Sequence, residues 1–235
     1  MEIDYSFPYI NIDYINDFFD LHGLLRDDWL RQVHQDFIEN CSKFLDVYNI
    51  HYYTSNAIAY SLYARMSDLR LHYHTPVHVL SMLQYARENK IDLERHEELA
   101  IWFHDAIYIP GAVEGQNEYE SLCFMRSLLG SFVDNDELTK AGNIIKATAK
   151  HLETHVHPNC YKVMDLDLIS FSFPNQSLIG ELIWKEHSHL CMEEKFHEGR
   201  KNFLKKLIEK GFVYRSNQFL HLNAKIVEQL RQASQ

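Results

Sequence analysis

Several residue types and patterns are scarce in this chain of 235 residues, and each absence narrows the fold and the function. Glycine and proline number only 8 and 5, which disfavours the many tight turns of an all-β sandwich or barrel. No stretch approaches the roughly 18 consecutive apolar residues of a membrane helix. The acidic N-terminal sequence MEIDYSFPYI lacks the basic start and apolar core of a signal peptide. We therefore expect a cytoplasmic protein that does not enter a membrane.

Basic residues and closely spaced cysteines are also in short supply. The chain has 23 Lys plus Arg against 33 Asp plus Glu, a formal net charge of −10. This balance argues against general nucleic-acid binding, because such proteins present a basic face to the phosphates. The cysteines form no CxxC pair, so we expect reduced and mostly buried thiols with no disulfide framework and no zinc knuckle. They are Cys41, Cys123, Cys160 and Cys191.

Apolar residues recur at steps of three and four over much of the chain, the spacing of a helix with one buried face. One stripe consists of Leu30, Val33, Phe37, Cys41, Phe44 and Tyr48. A second runs from Phe196 to Ile208 and is followed by Lys210 and Gly211, which are helix stop signals. Further helices are predicted near 56–65, 76–88, 92–108, 117–129, 136–151, 176–193 and 219–230. With no internal linker, we predict a single all-α domain over residues 1–235, folded as a compact helical bundle.

Histidine is abundant, with 15 residues, and one His-Asp pair stands out among them. His104 and Asp105 interrupt a run that is otherwise apolar from Leu99 to Ile109, so a carboxylate is expected inside a core helix. An unpaired buried carboxylate is costly, and a metal, a cation or protonation is the usual remedy. From these residues alone, a metal site and a structural ion pair with an Arg or Lys remain equal alternatives.

A second group of histidines lies where a helix is predicted to begin. Thr75 and Pro76 are suited to the N-cap and the first helical position, which places His74 just before the helix and His78 in its first turn. The two imidazoles are expected in one neighbourhood, while His72 is expected to face solvent. An i, i+4 histidine pair is only modestly specific for metal and is as often a surface feature.

A third segment, KVMDLDLISF, carries two acids inside an apolar run. On a helix, Asp165 and Asp167 would point in different directions because they are two positions apart. We therefore expect one of them to enter a buried site. The other would be a helix cap, a surface residue or a supporting partner.

Taken in chain order, these motifs resemble those of the HD superfamily of metal-dependent phosphohydrolases. The resemblance extends over about residues 25–232 and is most specific at HYHTPVH, at AIWFHDAIYIP with the following NEYES, and at MDLDLISF. The later GRKNFLKKLI and LNAKIVEQL segments are also similar to a small group of compact, predicted HD phosphohydrolases. YHTPVH is similar to the YHN..H signature of cyclic nucleotide phosphodiesterases. The chain departs from the pattern at Leu71 and Trp184, where relatives tend to carry basic residues.

The resemblance implies a division of roles within the site. His78, His104, Asp105 and one final acid would be the metal ligands, with Asp167 favoured over Asp165 for that last position. His74 would donate a proton to the leaving oxygen. A set of nitrogen and oxygen ligands suits one or two divalent ions, among Mn, Mg, Fe, Ni, Co and Zn. Such an ion lowers the pKa of coordinated water and stabilises phosphoryl oxygens.

Five further residues are candidates for contacts around this centre. By resemblance, Glu118 would hydrogen-bond a metal-bound water and Arg200 would contact phosphate. Lys146 and Lys150 share one face of a predicted helix, where they and the neighbouring His151 could neutralise a substrate phosphate. An exposed acid in a first helical turn is the alternative for Glu118, and a solvated face is the alternative for the lysines.

The expected function is therefore hydrolysis of a small phosphorylated molecule such as a nucleotide. One alternative is an HD-fold di-iron oxygenase, which needs further histidine ligands such as His151, His155 or His157. The last two are otherwise expected in a polar loop that ends at Pro158. The other alternative is a catalytically idle HD module that binds a nucleotide or a protein partner.

Overall fold

The structure, a computed structural model, describes residues 23–172, 176–210 and 213–233. These residues form ten α-helices joined by turns and short 3-10 helices, with no β-strand among them, so the predicted all-α fold class is confirmed. The helices are α1 (Gly23–Leu45), α2 (Tyr52–Met66), α3 (Pro76–Glu88), α4 (Arg95–Phe103), α5 (Gln116–Leu129), α6 (Asn135–Thr148), α7 (Tyr161–Asp167), α8 (Gln176–His187), α9 (Glu193–Glu209) and α10 (Asn223–Ala233). Among them, none combines the length and the apolar character that crossing a lipid bilayer requires.

The core is centred on α4, which packs against α3, α6 and α7. Trp102, near the end of α4, is fully buried. Its ring meets Phe37 edge to face at 5.2 Å between ring centroids and stacks with Phe44 at 6.4 Å, both on α1. Burying a large apolar side chain stabilises a fold by about 1.5–3 kcal/mol, and aromatic pairs add to this. The end of α4 is thus held firmly in the core.

Helix α4 is shorter than the predicted segment 92–108. It begins at Arg95, where Glu94 and Glu97 form a capping box, and it ends at Phe103. Beyond this point the Ile107 amide donates to the Ser121 hydroxyl at 2.9 Å instead of to a helical carbonyl. His104 and Asp105 therefore lie just after the helix, which corrects the expectation of a carboxylate in mid-helix.

Other boundaries also differ from the sequence pattern. The predicted segments 136–151 and 176–193 end at Thr148 and His187. Helix α7 is not among the predicted helices, because its seven residues are too few to show a helical period. Pro76 begins α3 as expected, but the Thr75 side chain makes no capping hydrogen bond. Residues 1–22 and the expected stop signal Gly211 lie outside the described residues.

The four cysteines are free, as expected, but only two of them are buried. Cys41 and Cys160 lie in the interior, Cys191 is half-buried and Cys123 is exposed. Burial raises the pKa of Cys41 and of Cys160, so these two thiols are held in the neutral form.

The carboxyl group of Glu98 on α4 is largely buried in the protein, and this leads to a testable prediction. Burial raises the pKa of its carboxyl to about 7, and the nearby Trp102 indole offsets this only in part. A folded-state pKa above the unfolded value makes stability fall as pH rises from about 4.5 through 7. We expect Glu98→Gln to stabilise the protein by about 1–3 kcal/mol near pH 8, with no gain near pH 4. Urea denaturation at both pH values measures this, and an equal effect at both would contradict it.

Candidate metal centre

Four side chains from three parts of the fold meet in the interior. His78 lies in the first turn of α3, His104 and Asp105 follow α4, and Asp167 ends α7. One ligand atom from each of the four lies within 4.8 Å of all the others, so this cluster could hold a metal ion. The first three residues are buried and Asp167 is half-buried. The sequence motifs thus converge in space although 89 positions separate His78 from Asp167.

The orientation of His104 directs the lone pair of one ring nitrogen towards the centre. Its Nδ1 lies 2.9 Å from the carbonyl oxygen of Ile101, and because a carbonyl only accepts, Nδ1 carries the proton. In the neutral ring, Nε2 then presents its lone pair to the centre. That atom is 3.1 Å from Asp105 Oδ2 and 3.3 Å from His78 Nε2. A backbone carbonyl that fixes the ring in this way is the usual support of a metal-ligating histidine.

The two carboxylates face the same centre. Asp167 Oδ1 lies 3.0 Å from His78 Nε2 and 3.7 Å from His104 Nε2. Although burial opposes charge, Asp105 and Asp167 raise the pKa of His104 well above its usual range. In turn, hydrogen bonds from His104, His151 and His78 hold the pKa of Asp167 well below its usual range despite burial. These opposite shifts have one cause, the close approach of imidazoles and carboxylates, and such a donor set could hold a metal ion.

Asp165 does not reach this centre. Its carboxylate accepts hydrogen bonds from the backbone amides of Arg215, at 3.0 Å, and Ser216, at 2.6 Å. Burial raises the pKa of this carboxyl to about 6. As expected for acids two positions apart on a helix, one acid enters the cluster and the other faces elsewhere. Asp165 anchors the segment before α10, and the geometry selects Asp167 as the cluster residue.

His74 lies beside the cluster and is held by two residues that the sequence analysis missed. Its Nδ1 lies 2.7 Å from Glu186 Oε2, and its ring stacks on Tyr108 with 3.6 Å between centroids. The other Glu186 oxygen accepts the backbone amides of His72, Tyr73 and His74 at 2.7–2.9 Å. The Glu186 side chain is fully buried. This contact with the ionised carboxylate fixes the tautomer of His74, and Nε2 has no hydrogen-bond partner among the residues that the structure describes.

Electrostatics near His74 favour its protonated form. Burial lowers its pKa, but the Glu186 and Asp105 carboxylates outweigh burial, and the net pKa of His74 is raised. The His74 ring lies near the cluster, with 6.1 Å between its centroid and that of His78. The sequence offered no clear signal for Glu186, because Lys185 and His187 flank it in α8 and nothing local showed that its partner lies 112 positions earlier.

Glu118 and Arg200 lie near the centre without joining the cluster. Glu118 is half-buried in the first turn of α5. Its pKa is raised by burial and by the charges of Asp105 and Asp167, so the two cluster carboxylates repel negative charge on Glu118. Arg200 is half-buried next to Gly180, and burial lowers its pKa while Tyr73 opposes this shift.

The three residues on and after α6 that were predicted to contact phosphate do not lie together at the centre. His151 adjoins the centre, because its Nε2 lies 2.9 Å from Asp167 Oδ2 and thus contacts a carboxylate of the cluster. Lys146 and Lys150 are exposed and line a separate groove, to which no cluster residue contributes among those described. Lys150 pairs there with Glu153 at 3.3 Å. The lysines are therefore not placed at the candidate centre.

The remaining histidines of that region lie in the expected loop. The His157 ring accepts the backbone amide of Asn159 at 3.3 Å and caps a short 3-10 helix that begins at Pro158. His155 lines the same groove as Lys146. Neither residue belongs to the cluster. His72 is exposed, as expected.

A cavity borders the centre on the side of His78. It has a volume of about 500 Å³ and is lined by Tyr73, His78 and Ser170 together with apolar side chains of α1, α2, α3 and α8. Small-molecule sites are concave, mostly apolar spaces of this size with a few polar groups. The cluster therefore has room beside it for a small organic group. No protein-family profile matches the chain, and no curated protein sequence is significantly similar to it.

Proposed function

We propose that this protein is a metal-dependent phosphohydrolase of the HD type that cleaves a phosphoester bond of a small molecule. One observation carries the proposal. Two imidazoles and two carboxylates converge within 4.8 Å in a largely buried pocket, and a histidine in contact with a buried carboxylate lies beside them. The sequence motifs that resemble the HD superfamily supply these same residues.

The ligand set favours a hard or intermediate divalent ion. Imidazole and carboxylate ligands suit Mn, Fe, Co, Ni, Zn and Mg, whereas no thiolate is among the cluster residues. Bound there, such an ion would lower the pKa of coordinated water and stabilise the oxygens of a phosphoryl group. Asp105 and Asp167 would balance its charge, and His104 would be oriented by the carbonyl of Ile101.

His74 is assigned the role of general acid. A departing alkoxide needs a proton from a donor with a pKa near the working pH, and the raised pKa of His74 keeps its ring protonated over a wider range. Glu186 holds the opposite ring nitrogen at 2.7 Å, so the free Nε2 is the atom that delivers the proton. Tyr108, stacked on the ring, restricts its rotation.

Glu118 and Arg200 are assigned supporting roles. We assign the half-buried Glu118 carboxylate the role of accepting a hydrogen bond from water at the centre, because the charges of Asp105 and Asp167 contribute to its raised pKa. Arg200 retains its charge in a half-buried position close to Tyr73, whose ring lies 5.0 Å from that of His78. It is the basic residue that we assign to the substrate phosphate.

The proposal is tested by measuring hydrolysis with and without metal. We expect the chelator-treated protein to be inactive and to release phosphate or a phosphomonoester after addition of Mn²⁺, Mg²⁺, Co²⁺ or Ni²⁺. The panel should contain phosphomonoesters, cyclic nucleotides and nucleoside triphosphates. His78→Ala is the matched inactive control. Absence of metal-stimulated hydrolysis across the panel would overturn the proposal.

A second candidate function follows from His151. This third imidazole lies 2.9 Å from Asp167, and additional histidines near the cluster are what the di-iron oxygenases with an HD fold require. An oxygenase would bind iron and consume dioxygen, whereas a phosphohydrolase consumes none. Iron content measured together with oxygen uptake distinguishes the two functions.

A further inference from the structure

A large groove lies outside the candidate centre and is used by no step of the proposed hydrolysis. It has a volume of about 1130 Å³ and runs along one side of α6, the loop before α7 and the segment before α10. We call it the basic groove. The Lys and Arg side chains of its lining are Lys140, Lys146, Lys150, Lys162 and Arg215, and His155 and His157 also line it.

The charge of the basic groove is opposite to that of the chain. The described lining carries five Lys or Arg side chains against two carboxylates, Glu94 and Glu97, in a protein of net charge −10. Glu97 and Lys162 neutralise each other at 2.6 Å, and Lys140 pairs with Asp136 at 2.7 Å, which leaves Lys146, Lys150 and Arg215 as the cations that matter for a ligand. Cations gathered in a concave surface raise the local concentration of anions.

At least two cations of the basic groove are available to a ligand. Lys146 is exposed and forms no ion pair within the described residues. Lys150 has only the exposed contact with Glu153 at 3.3 Å, and such surface pairs contribute little. Lys146 lies near the end of α6 and Lys150 lies in the turn two residues beyond it, and both line the groove. Their ammonium groups can therefore meet two oxygens or two phosphates of one ligand.

Arg215 adds an ordered guanidinium to the lining of the groove. Its Nη2 donates to the backbone carbonyl of His151 at 2.7 Å, and its plane lies over the Tyr161 ring with 5.4 Å to the centroid. Its Nη1 is buried and has no hydrogen-bond partner within the described residues. The backbone amide of Arg215 is held by Asp165. The guanidinium is thus positioned by backbone contacts and by a ring, and its side chain donates to no carboxylate in the described contacts.

We propose that the basic groove is a second binding site, which takes a small anion with two or more linked phosphate groups. One phosphate group would meet the ammonium groups of Lys146 and Lys150, and a second, linked group would reach the Arg215 guanidinium. The groove volume of about 1130 Å³ is slightly above the range typical of small-molecule sites. No cluster residue lines the groove, so binding there does not require the metal centre.

The test uses the full chain after metal removal and pyrophosphate as the probe, followed by isothermal titration calorimetry at low ionic strength. We expect saturable binding with one pyrophosphate per chain, and weaker binding of inorganic phosphate. Lys146→Glu should weaken pyrophosphate binding by more than about tenfold, because an attractive charge becomes a repulsive one. Lys205→Glu is the matched control, since it changes the net charge equally at an exposed position of α9 and should bind within about twofold of the unaltered chain.

Two results would overturn this inference. One is the absence of pyrophosphate binding, and the other is equal weakening by Lys146→Glu and Lys205→Glu, which would indicate a general charge effect. Because Lys146 is exposed, its variant is expected to fold, and circular dichroism checks this. Metal-free protein is used throughout, so the outcome is independent of whether the centre hydrolyses phosphoesters.

Discussion

Replacing Asp167 by asparagine is expected to weaken binding of a divalent ion by more than about 100-fold, whereas Asp165→Asn leaves this affinity nearly unchanged. Both acids lie in α7, two positions apart, but only Asp167 faces the cluster. The substitution removes a carboxylate 3.0 Å from His78 and 2.9 Å from His151. Metal content by mass spectrometry and titration with Mn²⁺ measure the difference.

Asp165→Asn serves as the control because its expected defect is of another kind. The wild-type carboxylate accepts amides from Arg215 and Ser216, and an asparagine amide group would present a donor to one of them. We expect a loss of about 1–3 kcal/mol in the free energy of unfolding with metal content retained. If Asp165→Asn lost the ion as completely as Asp167→Asn, the assignment of the last ligand would be wrong.

His74→Ala is expected to lower kcat by about 10²- to 10⁴-fold, the typical contribution of general acid catalysis, while bound metal is retained. His78→Ala should lose both metal and activity, because His78 belongs to the cluster and His74 does not. The pair thus separates proton donation from ion binding. Loss of metal in His74→Ala to the same extent as in His78→Ala would contradict the proposed division of roles.

Glu186→Gln tests whether Glu186 acts through His74. The Glu186 carboxylate helps to raise the pKa of His74, so the neutral amide should lower it. A general acid must be protonated, and activity therefore falls as pH rises through its pKa. We expect the alkaline limb of the kcat profile to move to lower pH in Glu186→Gln. If the alkaline limb of the kcat profile did not move but the Glu186→Gln protein were less stable, Glu186 would only support the backbone of residues 72–74.

Much of the fold and part of the centre could be predicted from local patterns. The apolar period predicted all-α structure because each amphipathic helix must bury one face. His104 and Asp105 were identifiable because polar groups in an apolar run need a partner. The same reasoning was wrong about where α4 ends, since the hydrogen bond from Ile107 to Ser121 is a contact between separate elements. The prediction that Lys146 and Lys150 share one helix face was wrong, because α6 ends at Thr148 and Lys150 lies in the following turn.

The amino-acid sequence was sufficient to specify helices, an acidic chain and a short set of His and Asp candidates, because these follow from residue type and spacing over a few turns. Tertiary packing selected among the candidates. It directed Asp167 to the cluster and Asp165 to the Arg215 and Ser216 amides. It also brought Glu186 to His74 and gathered cations from separate segments into the basic groove. These outcomes depend on contacts across many tens of residues, where burial and hydrogen bonding of the whole core, not local periodicity, determine which side chains meet.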